Sequence, residues 1–314
     1  MPSSAVLSFS EPDDYAASIL AARTEITVTE GGQFTAGLVD IDLDRLRLQR
    51  GAETLARVTH AVHPRGQAVI SFMTKAGPPM LWEGVEMQPD CIMWHSEGQA
   101  AFQRSGGPVC WGTMSLPTEM MASAGAALAG RALTPPRQMR TIHPSASALT
   151  RLQNLHAAAA RLAGEAPGTL ANPEAARGMR HALVQAMVGC LGGAAANTDR
   201  PAPHHQIAIM RRFRAALEAR AEEAIYIPEL CADIRVSDRT LRACCQNQLG
   251  VGPHRYLMLR RMHLARRALR RSTPMDATVT EIATRYGFWQ FGRFAGEYKS
   301  LFGELPSVTL ARLP

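Results

Sequence analysis

The chain has 314 residues, 46% apolar and 19% charged, which is room for two domains with a real core and excludes a largely disordered chain. No stretch reaches the roughly 20 apolar residues of a spanning helix, and residues 1–15 carry Glu11, Asp13 and Asp14 rather than a basic start and an apolar run, so neither a membrane anchor nor a secretory leader is expected. The formal net charge of +7 is unevenly placed, with 18 Arg plus Lys against 10 Asp plus Glu in residues 205–314 and 16 against 17 in residues 1–204, which suits a neutral part joined to a part that meets a polyanion.

Residues 1–118 read as β-rich. Residues 25–30 alternate apolar and polar, and Gly31-Gly32 follows as a turn signal. Residues 34–43 continue the alternation, and residues 68–73 form a short apolar run. Residues 80–82, 91–94 and 109–111 are further short strands split by Gly and Pro. This spacing predicts a sandwich or small barrel. His60, His63 and His95 invite a metal reading, but two histidines three apart on a strand point to opposite faces, and no His-x-His occurs. No metal is expected. Trp82, Trp94 and Trp111 lie on separate strands, where they either line a pocket or fill the core.

The pattern then turns helical. Residues 117–133 are Ala-rich and end at Pro135-Pro136. Residues 145–162 and 172–191 read as two helices. The second carries Leu183, Met187 and Leu191 at four-residue steps beside Val184 and Val188, an apolar face for a helix pair or a dimer interface. Residues 192–204, rich in Gly, Ala and Pro, read as a linker. The six cysteines, at 91, 110, 190, 231, 244 and 245, include no CxxC and read as free thiols in a reducing cytoplasm. Cys244-Cys245 reads as a packed apolar pair rather than a redox switch.

The last third holds a loose internal repeat. Residues 227–250 read as helix, turn, helix: Pro228 suits a first helical turn, Ser237 is a good N-cap, and Gly250 is a good stop. On the second helix Leu241, Cys244, Cys245 and Leu249 share one side, while Arg239 and Arg242 face outward. The layout returns in residues 279–303. One helix ends at Gly287, Phe288-Trp289 make an apolar turn, and residues 290–302 place Phe294, Tyr298, Leu301 and Phe302 inward and Gln290 and Arg293 outward. Cys231 and Ala283, each six residues before Ser237 and Trp289, are small enough for close helix crossing.

Between the two repeats, residues 253–271 form one helix with the apolar stripe Met258, Met262, Ala265 and Leu269. Its length of about 28 Å approaches one turn of B-DNA, about 34 Å, so it can hold two readers on one face of a duplex. Arg260, Arg261, Arg266, Arg267, Arg270 and Arg271 are available to neutralise phosphates, and outward arginines suit guanine edges.

Residues 207–310 resemble the DNA-binding domain of the AraC/XylS family of bacterial transcription regulators. The resemblance rests on residues 237–241, 249–253, Tyr256-Leu257, 264–266, 279–283, Gly287-Phe288, Phe294 and Phe302-Gly303. It implies two helix-turn-helix units, recognition of double-stranded promoter DNA without metal or cofactor, and no catalysis. The expected DNA-contacting residues are Ser237, Arg239, Thr240, Arg242, Gln290, Arg293 and Lys299. Partners implied with it are RNA polymerase, a small-molecule effector and a second copy of the chain. The chain departs from the family where Ala243 and Gly296 stand in place of Arg, Cys245 in place of an aromatic, and Gly252, Gly292 and Leu305 in place of Ser.

The expected class is therefore α+β: a cupin-like β-rich sensor domain over 1–118, a helical connector or dimerisation region over 119–191, the linker 192–204, and an all-α DNA-binding domain over 205–314. The expected function is a cytoplasmic, effector-controlled regulator or activator of transcription. The alternative is a metal-dependent cupin enzyme fused to a DNA-binding module. No GxGxxG, P-loop, nucleophile elbow or HExxH is present to support an enzyme.

Overall fold

The computed structural model describes residues 2–193, 204–220 and 223–312. Most of the predicted linker, 194–203, lies outside the described residues. The N-terminal part runs β1 (Ser3–Phe9), α1 (Pro12–Ser18), β2 (Arg23–Val28), β3 (Ala36–Asp42), β4 (Arg47–Glu53), β5 (Arg57–Val62), β6 (Gln67–Met73), β7 (Met80–Trp82), β8 (Val85–Glu86), β9 (Ile92–Trp94), β10 (Ala100–Ser105) and β11 (Val109–Pro117), followed by α2 (Thr118–Ala129), β12 (Arg140–Ile142), α3 (Ala146–Glu165), α4 (Pro167–Ala171) and α5 (Pro173–Gly192). The C-terminal part is helical: α6 (His204–Ala219), α7 (Ile227–Ile234), α8 (Asp238–Leu249), α9 (Pro253–Arg271), α10 (Val279–Arg285), α11 (Phe291–Phe302) and α12 (Pro306–Ala311).

Two antiparallel sheets build the N-terminal part, in the orders β1-β3-β4-β11-β6-β9-β12 and β2-β5-β10-β7-β8. The last strand of the larger sheet comes from 140–142, so this sheet draws on chain beyond residue 118. One apolar cluster, including Ile26, Leu38, Met80, Trp82 and Trp111, is drawn from both sheets. A second joins the larger sheet to the helices, with Ile70, Phe72, Met114 and Leu116 packed with Leu152, Leu183, Met187 and Val188. A sheet covered on both faces explains the continuous apolar run of β6, where Ala68, Ile70 and Phe72 join the helical cluster and Met73 joins the inter-sheet one. The apolar face of α5 is therefore filled within the chain, against α2 and α3.

β4 and β5 break the apolar alternation because their inward positions are polar. Gln49, Glu53, Arg57 and Thr59 are all buried. Glu53 and Arg57 form a buried ion pair, and Arg57 also donates to Thr59 Oγ1 and Gln103 Oε1, both at 2.6 Å. Glu53 Oε1 accepts from Tyr15 Oη at 3.0 Å and Trp111 Nε1 at 2.7 Å. Burial works against the Arg57 charge, and the adjacent Glu53 outweighs it, holding the guanidinium above its usual value. Gly51 makes room for this network, since a Cβ there would stand 2.3 Å from the Trp111 ring.

The C-terminal part has two lobes around α9. The first gathers Phe213, Leu230, Leu241, Cys244 and Leu249 into one core, and Val58 and Phe102 from the smaller sheet join it. The second gathers Met262, Leu269, Ile282, Phe294 and Tyr298. Both lobes touch the N-terminal part. Arg214 Nη1 donates to Glu83 Oε1 at 2.6 Å, and Gly32 N donates to Leu301 O at 3.3 Å.

Candidate nucleic-acid interface

In the first unit, α7 begins with Pro228 in its first turn and ends at Arg235, whose φ is 54°. α8 then starts at Ser237, whose Oγ accepts from Thr240 N at 3.2 Å and lies 2.9 Å from Thr240 Oγ1. These two residues thus fix the N-terminus of the reading helix. Leu241, Cys244, Cys245 and Leu249 are buried, and Gly250 closes the helix at φ 73°. Burial pushes the thiols of Cys244 and Cys245 up, which keeps them protonated and unreactive. Arg239 and Arg242 are exposed on the opposite face, with Arg242 3.0 Å from Asp238 on the same helix.

In the second unit, Thr278 and Glu281 form a reciprocal capping box at the start of α10. Gln290 is the N-cap residue of α11, but its side chain makes no capping bond. Arg293 is exposed and pairs with Glu297 at 2.9 Å. Lys299 is exposed in the last turn.

The two units do not superimpose at one constant offset. The buried residues of α7 and α10 match 52 residues apart, as Leu230 with Ile282. Those of α8 and α11 match 53 apart, as Leu241 with Phe294, Cys245 with Tyr298, and the stops Gly250 with Gly303. The second turn is one residue longer. Ser237 therefore corresponds to Gln290, not to Trp289, and Arg239 and Arg242 correspond to Gly292 and Ala295.

The expectation for α9 changes more. Its arginines are available in sequence to neutralise phosphates, but most are engaged inside the molecule. Arg260 is 3% exposed and donates to the carbonyls of Leu217, Arg220 and Glu223. Arg261 lies over the rings of Phe288 and Tyr226, 5.1 and 5.5 Å from their centroids. Arg266 makes a bidentate pair with Glu11, at 2.9 and 2.6 Å, and reaches Glu304 at 3.0 Å. Arg267 pairs with Asp13 at 2.9 Å and Arg270 with Asp14 at 2.9 Å. The acidic residues at 11–14 are thus the counter-charges of the long helix, across more than 250 positions of sequence. His263, buried beside them, accepts from Val28 N at Nε2, 3.0 Å away, and burial pushes it down to about 4.

Between the two sheets, a cavity of about 50 Å³ is lined by Ile19, Ala22, His63, Met80, Trp82 and His95 among others. The rings of His63 and His95 are 4.1 Å apart, and Ser71 Oγ lies 2.6 Å from His95 Nε2. His63 Nε2 and Trp82 Nε1 are buried with no hydrogen-bond partner. Burial pushes His63 down to about 4, and burial together with His63 pushes His95 further down. Trp94 belongs instead to the helical core. Among the described residues, no three His, Cys, Asp or Glu side chains converge to hold a metal ion, and no helix is long and apolar enough to cross a membrane.

Two helix-turn-helix units on one long helix, each with an exposed face on its second helix, define the class: a helix-turn-helix domain. A family model for a helix-turn-helix domain matches residues 230–312. The probable thc operon regulatory protein of Rhodococcus erythropolis is 45% identical over 98 residues, 31% of this chain and 30% of that protein. XylDLEGF operon transcriptional activator 2 of Pseudomonas putida is 35% identical over 95 residues, 30% of this chain and 60% of that protein. The matched segment thus spans about a third of the first relative's length. The AraC-like transcriptional activator CuxR aligns over 88% of this chain and 98% of its own, at 14% identity and a TM-score of 0.44. Residues 230–312 are a helix-turn-helix domain.

Proposed function

We propose that the protein is a sequence-specific regulator of transcription, acting as an activator in the cytoplasm and controlled by a small molecule. One observation carries the DNA-binding part. The arginines of α9 are mostly consumed by internal partners, whereas Arg239, Arg242 and Arg293 remain exposed on the two reading helices. In this reading Arg239, Arg242, Gln290 and Arg293 face base edges, and Ser237, Thr240 and Lys299 face the sugar-phosphate backbone. The two relatives named above are operon regulators, which supports it. RNA polymerase and a second copy of the chain are the further partners of such an activator.

The effector part rests on the cavity between the two sheets. His63 Nε2 and Trp82 Nε1 are the unsatisfied polar atoms a small ligand would engage. The cavity of about 50 Å³ holds no more than a few waters, so a larger effector has to push its lining outward. That lining includes Ile19, Ala21, Ala22 and Thr24, the segment between α1 and β2. Both flanks of this segment hold α9, through Asp13 and Asp14 on one side and Val28 on the other. Displacing it would disturb the seat of the DNA-binding domain.

The test is selection of duplexes from a randomised pool by the full-length protein. Enrichment of one consensus, bound several hundredfold or more tighter than scrambled DNA and weakening steeply with salt, is expected. A pool that stays random through repeated rounds contradicts the proposal.

A further inference from the structure

The four tryptophans divide three to one. Trp82, Trp94 and Trp111 are 6–7% exposed, while Trp289 is 72% exposed. An indole is among the largest apolar groups a protein can bury, and this one stands in water immediately before the second reading helix. It lies within the turn whose extra residue sets the two units out of register. The turn is firmly held. Gly287 takes φ 77°, and its carbonyl accepts from Arg261 Nη1 at 3.3 Å. Phe288 is clamped between the Arg261 guanidinium and the Phe294 ring, 5.1 and 4.8 Å away. Trp289 is displayed by a fixed support.

Its surroundings continue the reading face. Gln290, Phe291 and Arg293 are exposed, and a Cβ on Gly292 or Gly296 would meet only open space. The structural register places Gly292 and Ala295 where the first unit has Arg239 and Arg242. The second unit therefore lacks both guanidinium groups at the corresponding positions, and its most exposed large apolar group is an indole. Guanidinium groups read guanine by paired hydrogen bonds, whereas an apolar side chain in the major groove reads the 5-methyl group of thymine.

We propose that Trp289 is a DNA-reading residue, and that the two units read different chemistry: α8 a guanine-bearing box through Arg239 and Arg242, α11 a thymine-bearing box through apolar contact by Trp289. This rests on the DNA-binding function proposed above. The occupant of the patch is duplex DNA because the patch is continuous with Gln290 and Arg293 on the reading helix.

The full-length protein and a duplex it selects from a randomised pool provide the test. Each thymine of the second box is replaced in turn by deoxyuracil, which removes only the methyl group. Wild type is expected to lose roughly five- to tenfold in affinity at one or two positions. Trp289→Ala should bind the parent duplex more weakly by a similar factor and be indifferent to the same replacements. Because Trp289 is exposed, its melting temperature should match wild type. Acrylamide quenching, which reports mainly this tryptophan, should fall when the duplex binds. A selected duplex that binds while Trp289 stays open to quencher, or equal deoxyuracil losses in wild type and Trp289→Ala, overturns the assignment and leaves DNA binding standing. A pool that yields no consensus removes both.

Discussion

Arg239 and Arg266 show how differently one residue type is used within the same basic third. Arg266 is buried and held by two carboxylates and the Tyr298 hydroxyl, whereas Arg239 is exposed on the reading helix. Arg239→Ala or Arg242→Ala is expected to cost about 1–3 kcal/mol of DNA binding and to relax preference at one base pair each. Arg239→Lys keeps the charge and loses the planar fork, so it should keep the salt dependence of binding and lose the base preference. Fluorescence anisotropy on the selected duplex and on single-site variants separates these outcomes. The Ser237 cap, the Gly250 stop and the outward Arg239 and Arg242 were legible because helix ends and faces follow local rules. The fate of the α9 arginines was not, because Glu11, Asp13 and Asp14 are remote in sequence and only the folded chain brings them together.

α9 is the element that both lobes and the N-terminal part share, and its pairs with the N-terminal acids are graded in depth. Glu11 and Arg266 are almost fully buried, while Asp14 is exposed and Arg270 half-buried. Removing one partner of a buried pair leaves a stranded charge, so Glu11→Gln should destabilise the protein by about 2–4 kcal/mol, moderated by the remaining Glu304 contact. Asp14→Asn should change stability by less than about 1 kcal/mol, and less again in high salt. Denaturant titration of the two variants side by side checks the contrast, and equal effects would mean that depth does not govern these pairs. β4 and β5 hid from sequence inspection for a related reason. Their inward faces carry Gln49, Glu53, Arg57 and Thr59, a buried polar network that erases the alternation by which strands are recognised. β6, β7, β9 and the start of β11 were legible because their apolar runs are intact.

At the scale of the whole molecule, buried neutral histidines occur in each layer. His63 and His95 face the cavity between the two sheets, His156 lies between α3 and the larger sheet, and His263 sits at the seam between the N-terminal part and the helix-turn-helix domain. Burial pushes His63, His156 and His263 down to about 4, from an ordinary 6.5, and His95 lower still. Between pH 6.5 and 4 the unfolded chain therefore binds more protons than the folded one, so stability is full above about 6.5 and falls as pH drops through that window. Each of the three at about 4 contributes on the order of 3 kcal/mol of this loss when complete. Melting temperature should be level near neutrality and decline steeply from pH 6 to 4.5. His263→Gln replaces one titrating group with a side chain that can still accept from Val28 N. Its stability should therefore depend on pH less steeply by up to about 1.4 kcal/mol per pH unit within the window, whatever its stability at pH 7. A variant with the wild-type slope would show that His263 is already charged in the folded protein, and the seam between the two domains would then hold a cation beside Arg266 and Arg267.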